Sequence, residues 1–392
     1  MLDYFWFDPT RMPGIYIHIP FCHQACSYCD FHFSTQLKAK NDLVGALARE
    51  IHLRRNYLKG KPLTTIYFGG GTPSIIGVDQ IKELLRAIAD NHAIEINPEV
   101  TLEANPEDLT SEKAEALIAA GVNRLSIGIQ SFRDEDLRLM NRSHDAKHAV
   151  QSVRNAQAAG FKNISVDLIY GVPGLSDDDW KKNMEQVFAL DVQHLSCYSL
   201  TIEPRTAFAK WIKEGQMRSP DEEQSSTQFE LLMDHAPVAG FEHYEISNFA
   251  KPGFLSRHNT SYWLGEPYVG IGPSAHSYDI HSRQWNISNN ASYIQSIAEG
   301  KVPLEREELT RSDKFNEMIL TSLRTAWGIY EKRILENFGE ERAEEFSRKA
   351  DVWMQKGMLE LRDKHYVLTR SGKHFADRIA GDFFILLNKN NS

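Results

Sequence analysis

With 392 residues, 42% of them hydrophobic and 25% charged, the chain has an ordinary globular composition and enough length for two or three domains. Its net charge of −9 argues against general affinity for nucleic acid, and no run approaches the ~20 apolar residues needed to span a bilayer. The opening Met1-Leu-Asp-Tyr-Phe-Trp-Phe-Asp-Pro lacks a basic stretch followed by an apolar one, so it does not read as an export signal.

The first 200 residues alternate strand-like and helix-like segments. Strands are predicted at 15–20, 65–69, 99–103, 124–130, 163–169 and 195–200. Helices are predicted between them at 42–58, 79–89, 111–120, 146–159 and 178–189, the third and fourth ending at Gly121 and Gly160. Six β/α units imply parallel strands with right-handed crossovers. A closed barrel would need eight strands, so the α/β pattern predicts an open partial (β/α)6 TIM-like barrel.

Alternation within the strands says what fills it. Val100 and Leu102 share one face and Glu99, Thr101 and Glu103 the other. Leu125, Ile127 and Ile129 oppose Arg124, Ser126, Gly128 and Gln130, and Tyr16 and His18 oppose the neighbouring isoleucines. A polar interior is costly unless water or a polar ligand occupies it. The barrel is expected to enclose a cofactor.

After about residue 201 the β/α rhythm stops. Residues 201–302 mix a helix at 221–236 with glycine-, proline- and aromatic-rich loops, and are expected to close the open barrel side. Residues 303–392 predict helices, a hairpin at 358–368 and a further helix, a winged-helix-like α+β module. The helix at 342–356 carries mixed charges rather than a basic face, so packing or a lid role is expected there in preference to DNA binding.

Three of the four cysteines fall in Tyr16-Ile-His-Ile-Pro-Phe-Cys22-His-Gln-Ala-Cys26-Ser-Tyr-Cys29-Asp-Phe31. A cubane of four irons needs one thiolate per iron, so Cys22, Cys26 and Cys29 would leave one iron open. S-adenosylmethionine can chelate that iron through its amino and carboxylate groups and accept an electron at its sulfonium. Zinc with His23 or His32 as fourth ligand is the alternative, although zinc sites favour paired C-x2-C arms. Disulfides are a weaker one, because three thiols cannot all pair. Reduced thiols and an oxygen-labile cluster point to the cytoplasm. Phe21, Tyr28, Phe31 and Phe33 would shield the iron, and Cys197 reads as a small buried hydrophobe.

Polar groups converge on the same site. Glu103, Gln130 and Asp167 sit at or near the carboxyl ends of three strands, where barrel enzymes keep their chemistry, and carboxylates there can accept ribose hydroxyls. Arg142 could neutralise a methionyl carboxylate, and Tyr16 could pack beside the sulfonium. Gly69-Gly-Gly-Thr-Pro73 follows a strand and lets backbone approach a ligand.

The cysteine spacing resembles that of the radical S-adenosylmethionine superfamily, which implies a 4Fe–4S cluster and S-adenosylmethionine as cofactors. It implicates Gly70, Gly71 and Thr72 in holding the methionyl amino group. Further runs resemble the HemN/HemW branch: Glu103-Ala-Asn-Pro106, Ser126-Ile-Gly-Ile-Gln-Ser-Phe132 and Asp167-Leu-Ile-Tyr-Gly-Val-Pro173. That branch holds oxygen-independent coproporphyrinogen III dehydrogenases and HemW-type haem chaperones. The dehydrogenases carry a further cysteine where this chain has Phe31, and a longer segment before the cluster. HemW-type proteins carry H-N-x-x-Y-W, matched by His258-Asn-Thr-Ser-Tyr-Trp263.

The resemblance therefore implies a chaperone that binds haem as cargo and delivers it to acceptor haem proteins, some at the membrane. An electron donor would serve the cluster, and a homodimer would be compatible. His258 would be the axial ligand, with Tyr262 and Trp263 stacked on the macrocycle; alternatively His258 caps a turn while the two aromatics pack on the barrel. His276, in a glycine-rich loop, is a second candidate.

Overall fold

The computed structural model describes residues 13–386; the amino-terminal segment read above as lacking an export signal lies outside them. Six parallel strands form the centre of one sheet: β1 (Gly14–Ile19), β2 (Leu63–Gly70), β3 (Ile94–Ala104), β4 (Arg124–Gln130), β5 (Ile164–Tyr170) and β6 (His194–Ser199). The chain extends this sheet on both sides. Beyond β6 lie β7 (Glu242–Glu245) and β8 (Asn248–Ala250), in the order β6-β8-β7. Beyond β1 lie β9 (Tyr268–Ile271), β10 (His276–Tyr278), β11 (Ser282–Asn286) and β12 (Leu304–Glu308). The twelve strands do not close, so the barrel is open as expected.

The outer face explains why these strands form. Ile15, Ile17 and Ile19 of β1, Leu125, Ile127 and Ile129 of β4, and Ile164, Val166 and Leu168 of β5 are completely buried under the helices. Each such side chain contributes about 1.5–3 kcal/mol of apolar burial. The helices start where side chains can cap them. Thr110 accepts from Lys113 N (3.2 Å), Asp145 from His148 N (2.8 Å) and Ser176 from Asp179 N (3.2 Å). Helix Ala146–Ala159 ends on Gly160 at φ 109°, a left-handed cap favouring glycine.

β12 was not foreseen, for a physical reason. Its sequence, Leu-Glu-Arg-Glu-Glu, is exposed and charged, the composition that protects a sheet edge, and it carries no apolar alternation. A second core, with Phe315, Ile319, Phe346, Trp353 and Phe383, follows it. There β13 (Ile329–Tyr330), β14 (Leu359–Arg362) and β15 (His365–Leu368) form a small sheet in the order β13-β15-β14. Asp363 and Lys364 turn the β14–β15 hairpin, both at positive φ, as a two-residue hairpin of this kind requires. Arg324 pairs with Glu245 (3.0 Å) and Arg370 with Asp234 (2.6 Å), joining this module to the barrel.

On the other side, one buried carboxylate ties the β9–β12 extension to helix Lys40–Leu53. Glu50 accepts from Gly272 N (2.8 Å), Asn286 Nδ2 (2.8 Å) and Tyr293 OH (2.5 Å), with Arg54 3.6 Å away. Replacing Glu50 by alanine strands those donors and an almost fully buried guanidinium. We expect Glu50→Ala to lower stability by about 3–5 kcal/mol, measured by urea unfolding; an unchanged midpoint would contradict this account of the extension.

Candidate functional site

The cysteine loop leaves the carboxyl end of β1 and is fastened on several sides. Ser34 N donates to Pro20 O (2.8 Å) and Cys22 N to Ser34 O (3.1 Å), closing its neck. Ser27 N reaches Met140 O (3.0 Å), and Asn141 Nδ2 reaches Ala25 O (2.7 Å), clamping it to the segment after β4. Cys22, Cys26 and Cys29 are free, half-buried thiols. Thr72 Oγ1 donates to Cys22 Sγ (3.5 Å) and Arg142 Nη1 to Cys26 Sγ (3.2 Å). Burial pushes the Cys22 thiol up and Cys29 to about 11, so binding of a cationic centre is what would deprotonate them.

Among the described residues no three His, Cys, Asp or Glu side chains converge on a single ion position. Three thiolates on three different irons have no need to. A cavity of about 570 Å³ opens beside the loop, lined in part by Cys26, Cys29, Phe33, Arg138 and Trp211. Phe21 is completely buried, whereas Phe31, expected to shield the iron, is 70% exposed. It stands on the rim of that cavity rather than inside the barrel.

The glycine run lies against the cysteine loop. A Cβ on Gly71 would meet the Phe21 carbonyl oxygen at 2.6 Å, and one on Gly70 the His18 ring at 2.7 Å. Only glycine lets these two backbones lie so close, and Gly70 also takes a φ of 113°. Arg142 Nη2 donates to Asn105 Oδ1 and Gly128 O, both at 2.7 Å, while its Nε is buried without a partner. Gln130 closes β4 at φ 70°, a conformation a non-glycine residue holds only under constraint. The free Nε, the glycine cradle and the three thiols fit a cluster bearing S-adenosylmethionine. When bound, that pair supplies one-electron chemistry at the sulfonium; the protein's part is to hold and orient it.

Below the cradle the interior is polar and desolvated. Glu103 accepts from Tyr67 OH (2.8 Å) and Gly70 N (3.2 Å), and burial lifts its carboxyl to about 7. Asp167 sits one level deeper than expected, at the middle of β5, and accepts from Ser126 Oγ (3.2 Å); burial lifts it to about 6. Under both lies Arg124, 1% exposed, its Nε and Nη1 without partners. Tyr67, Ser126 and Arg124 escaped site prediction, although alternation along β4 had already turned Arg124 and Ser126 inward. A carboxyl raised by folding adds stability below its unfolded value and loses it as pH rises through its folded value. The cofactor-free protein should therefore lose stability relative to Glu103→Gln as pH rises from about 4.5 to about 7, by calorimetry; a pH-independent difference would refute the desolvated carboxyl.

The H-N-x-x-Y-W residues do not join this site. His258 lies in helix Arg257–Leu264 at the amino end of the barrel, against Gly14 and Thr65. It is 1% exposed, with Nδ1 bonded to Thr65 Oγ1 (2.7 Å) and Nε2 to Tyr262 OH (2.7 Å). Burial takes its pKa down to about 3, so it is neutral. Glu99 caps the helix by accepting from Arg257 N and His258 N, each at 3.1 Å. Trp263 takes Arg324 of the second module over its ring at 5.5 Å. His258, expected as an axial ligand with Tyr262 and Trp263 stacked on a macrocycle, is in this conformation engaged within the protein. Both ring nitrogens are spent, and the two aromatics pack within the protein.

Residues 16–187 match the family model of the Radical SAM superfamily. The heme chaperone HemW of Bacillus subtilis (strain 168) is 35% identical over 378 residues, covering 95% of this chain and 99% of that one. The heme chaperone HemW of Mycobacterium tuberculosis (strain H37Rv) is 33% identical over 376 residues, covering 95% and 94%. In fold, the chain is similar to the coproporphyrinogen III oxidase HemN of Escherichia coli, with a TM-score of 0.83 at 24% identity over 97% of this chain and 91% of that one. The thiol loop, the glycine cradle and this likeness along nearly the whole sequence lead to one assignment: the chain belongs to the HemW family of the radical SAM superfamily.

Proposed function

We propose that this protein is a haem chaperone that carries haem beside a cluster-bound S-adenosylmethionine and passes it to acceptor haem proteins. Cys22, Cys26 and Cys29 would hold the cluster. Tyr16, Gly70, Gly71, Thr72, Glu103, Gln130, Arg142 and Asp167 would line the S-adenosylmethionine site, and an electron donor would meet the cluster loop. Residues 1–200 form the cofactor barrel in this reading, 201–302 the haem-bearing appendage, and 303–392 a packing or lid module. No helix among the described residues is long and apolar enough to cross a membrane. The reading places the protein in the cytoplasm, meeting membrane acceptors at the surface.

One observation carries it: proteins named heme chaperones match this chain over 95% of its length. Phe31, where the dehydrogenases have a further cysteine, supports it. The fold likeness to coproporphyrinogen III oxidase favours the second reading, radical decarboxylation of propionates. The two separate in one anaerobic experiment. Haem-loaded protein with its cluster intact should activate a haem-free acceptor enzyme, and should release no CO2 from coproporphyrinogen III with S-adenosylmethionine and a reductant. CO2 matched by 5′-deoxyadenosine would replace the chaperone reading with the dehydrogenase one. A Cys22→Ala variant should lose most of its iron and sulfide by chemical analysis.

A further inference from the structure

A protein holds haem by an axial donor on the iron and by flat contacts on the ring. Imidazoles of the barrel's inner face can be sorted by whether their nitrogens are free. His258 has none free, and His194 bonds Ser165 Oγ and Tyr244 OH, each at 2.7 Å. His18 faces Tyr16 OH through Nδ1 (3.0 Å) and the His32 carbonyl through Nε2 (3.3 Å). His276 differs. Among the described residues no hydrogen bond engages its ring, and the residue is exposed.

Its position follows from strand register. His276 pairs with Trp285 and Tyr278 with Arg283 across β10 and β11, and Tyr278 pairs with Tyr268 of β9. Tyr268 pairs in turn with Gly14 of β1, and Gly270 with Tyr16. Side chains paired across strands share a face, so His276 and Trp285 continue the inner face of Tyr16 and His18. The Trp285 ring lies 6.0 Å from the imidazole and 29° from parallel. Arg283, lower on the same face, is paired with Glu317 of helix Arg311–Leu323 (2.9 Å). That helix meets the lower part of the face, and His276 stands above it, level with Tyr16 by register.

The platform adjoins the cradle. His276 lies close enough to His18 to lower its pKa, and His18 is the ring that Gly70 clears by lacking a side chain. Burial and the nearby Arg283 lower the pKa of His276 itself, which keeps the imidazole in its metal-binding form.

We propose that His276 is the axial ligand of a haem on the β9–β11 extension, beside the S-adenosylmethionine cradle, with Trp285 stacked on the imidazole and so edge-on to the macrocycle. This rests on the haem-chaperone reading. Haem iron so placed lies beside the cradle, whereas the buried His258 is a positioning residue at the amino end.

Anaerobic titration of cluster-loaded protein with hemin tests it, read by the Soret band and by the electron paramagnetic resonance of the ferric iron. His276→Ala should bind hemin at least tenfold more weakly and lose the imidazole signature, and added imidazole should restore that signature in His276→Gly. His258→Gln should keep the wild-type spectrum of the bound hemin while its thermal midpoint falls. A wild-type spectrum in His276→Ala, or an imidazole signature that follows His258 or His32, overturns the assignment. Wild-type protein that binds no hemin overturns the chaperone reading and the ligand with it, which is a different result from binding that ignores His276.

Discussion

The inner face of the sheet carries buried Arg124 and His194 and half-buried Glu103 and Asp167, with the buried His258 of helix Arg257–Leu264 packed below them, while the outer face is sealed by isoleucine, leucine and valine. Burial penalises every charge in the space they share. It drives the two carboxyls up and the two imidazoles down, so each drifts toward its neutral form. Arg124 brings a guanidinium into the same space. A guanidinium with two unpartnered nitrogens thus lies under two carboxyls that burial pushes toward their neutral form. Such an interior is poorly satisfied empty and well satisfied by a ligand that brings hydroxyls and cationic groups.

The same constraint explains the construction around the barrel. Six strands alone would leave both edges of the polar interior open. The chain covers one edge with β8 and β7 and the other with β9 to β12. Glu50 ties the β9–β12 flank to helix Lys40–Leu53, and Glu245 of β7 pairs with Arg324 of the second module. Buried pairs of this kind add little net stability compared with apolar packing, yet they are costly to break. They specify where the flanks sit, and the location of the cofactor space follows from that.

The sequence was most legible where one period dominated. Strict alternation in β1, β3, β4 and β5 disclosed both the strands and the identity of the inward side chains. The cysteine spacing located the cluster loop at the carboxyl end of β1. Edge strand β12 hid because charge, which protects an edge, erases alternation. Tyr67 hid because β2 is buried on both faces, so its inward residues are not marked by contrast. Phe31 was less legible: an aromatic beside a cysteine suggests shielding, but only the backbone path of the loop decides which way the ring points.

His258 shows how a short motif can mark a family while both of its ring nitrogens are engaged within the protein. Its ring stacks on Tyr67, centroids 4.8 Å apart and 23° from parallel, and Tyr67 donates to Glu103, which in turn accepts from Gly70 N. A chain of contacts therefore runs from the amino end of the barrel to the cradle at its carboxyl end. Loss of the imidazole would free Tyr67 to tilt, and Glu103 would lose the donor that offsets part of its desolvation. The motif can thus matter to cofactor binding without touching haem, and mutational loss of function at His258 cannot by itself identify a ligand. Only a spectroscopic signature of the iron separates support through packing from coordination, because packing changes affinity and stability while coordination changes the electronic state of the metal.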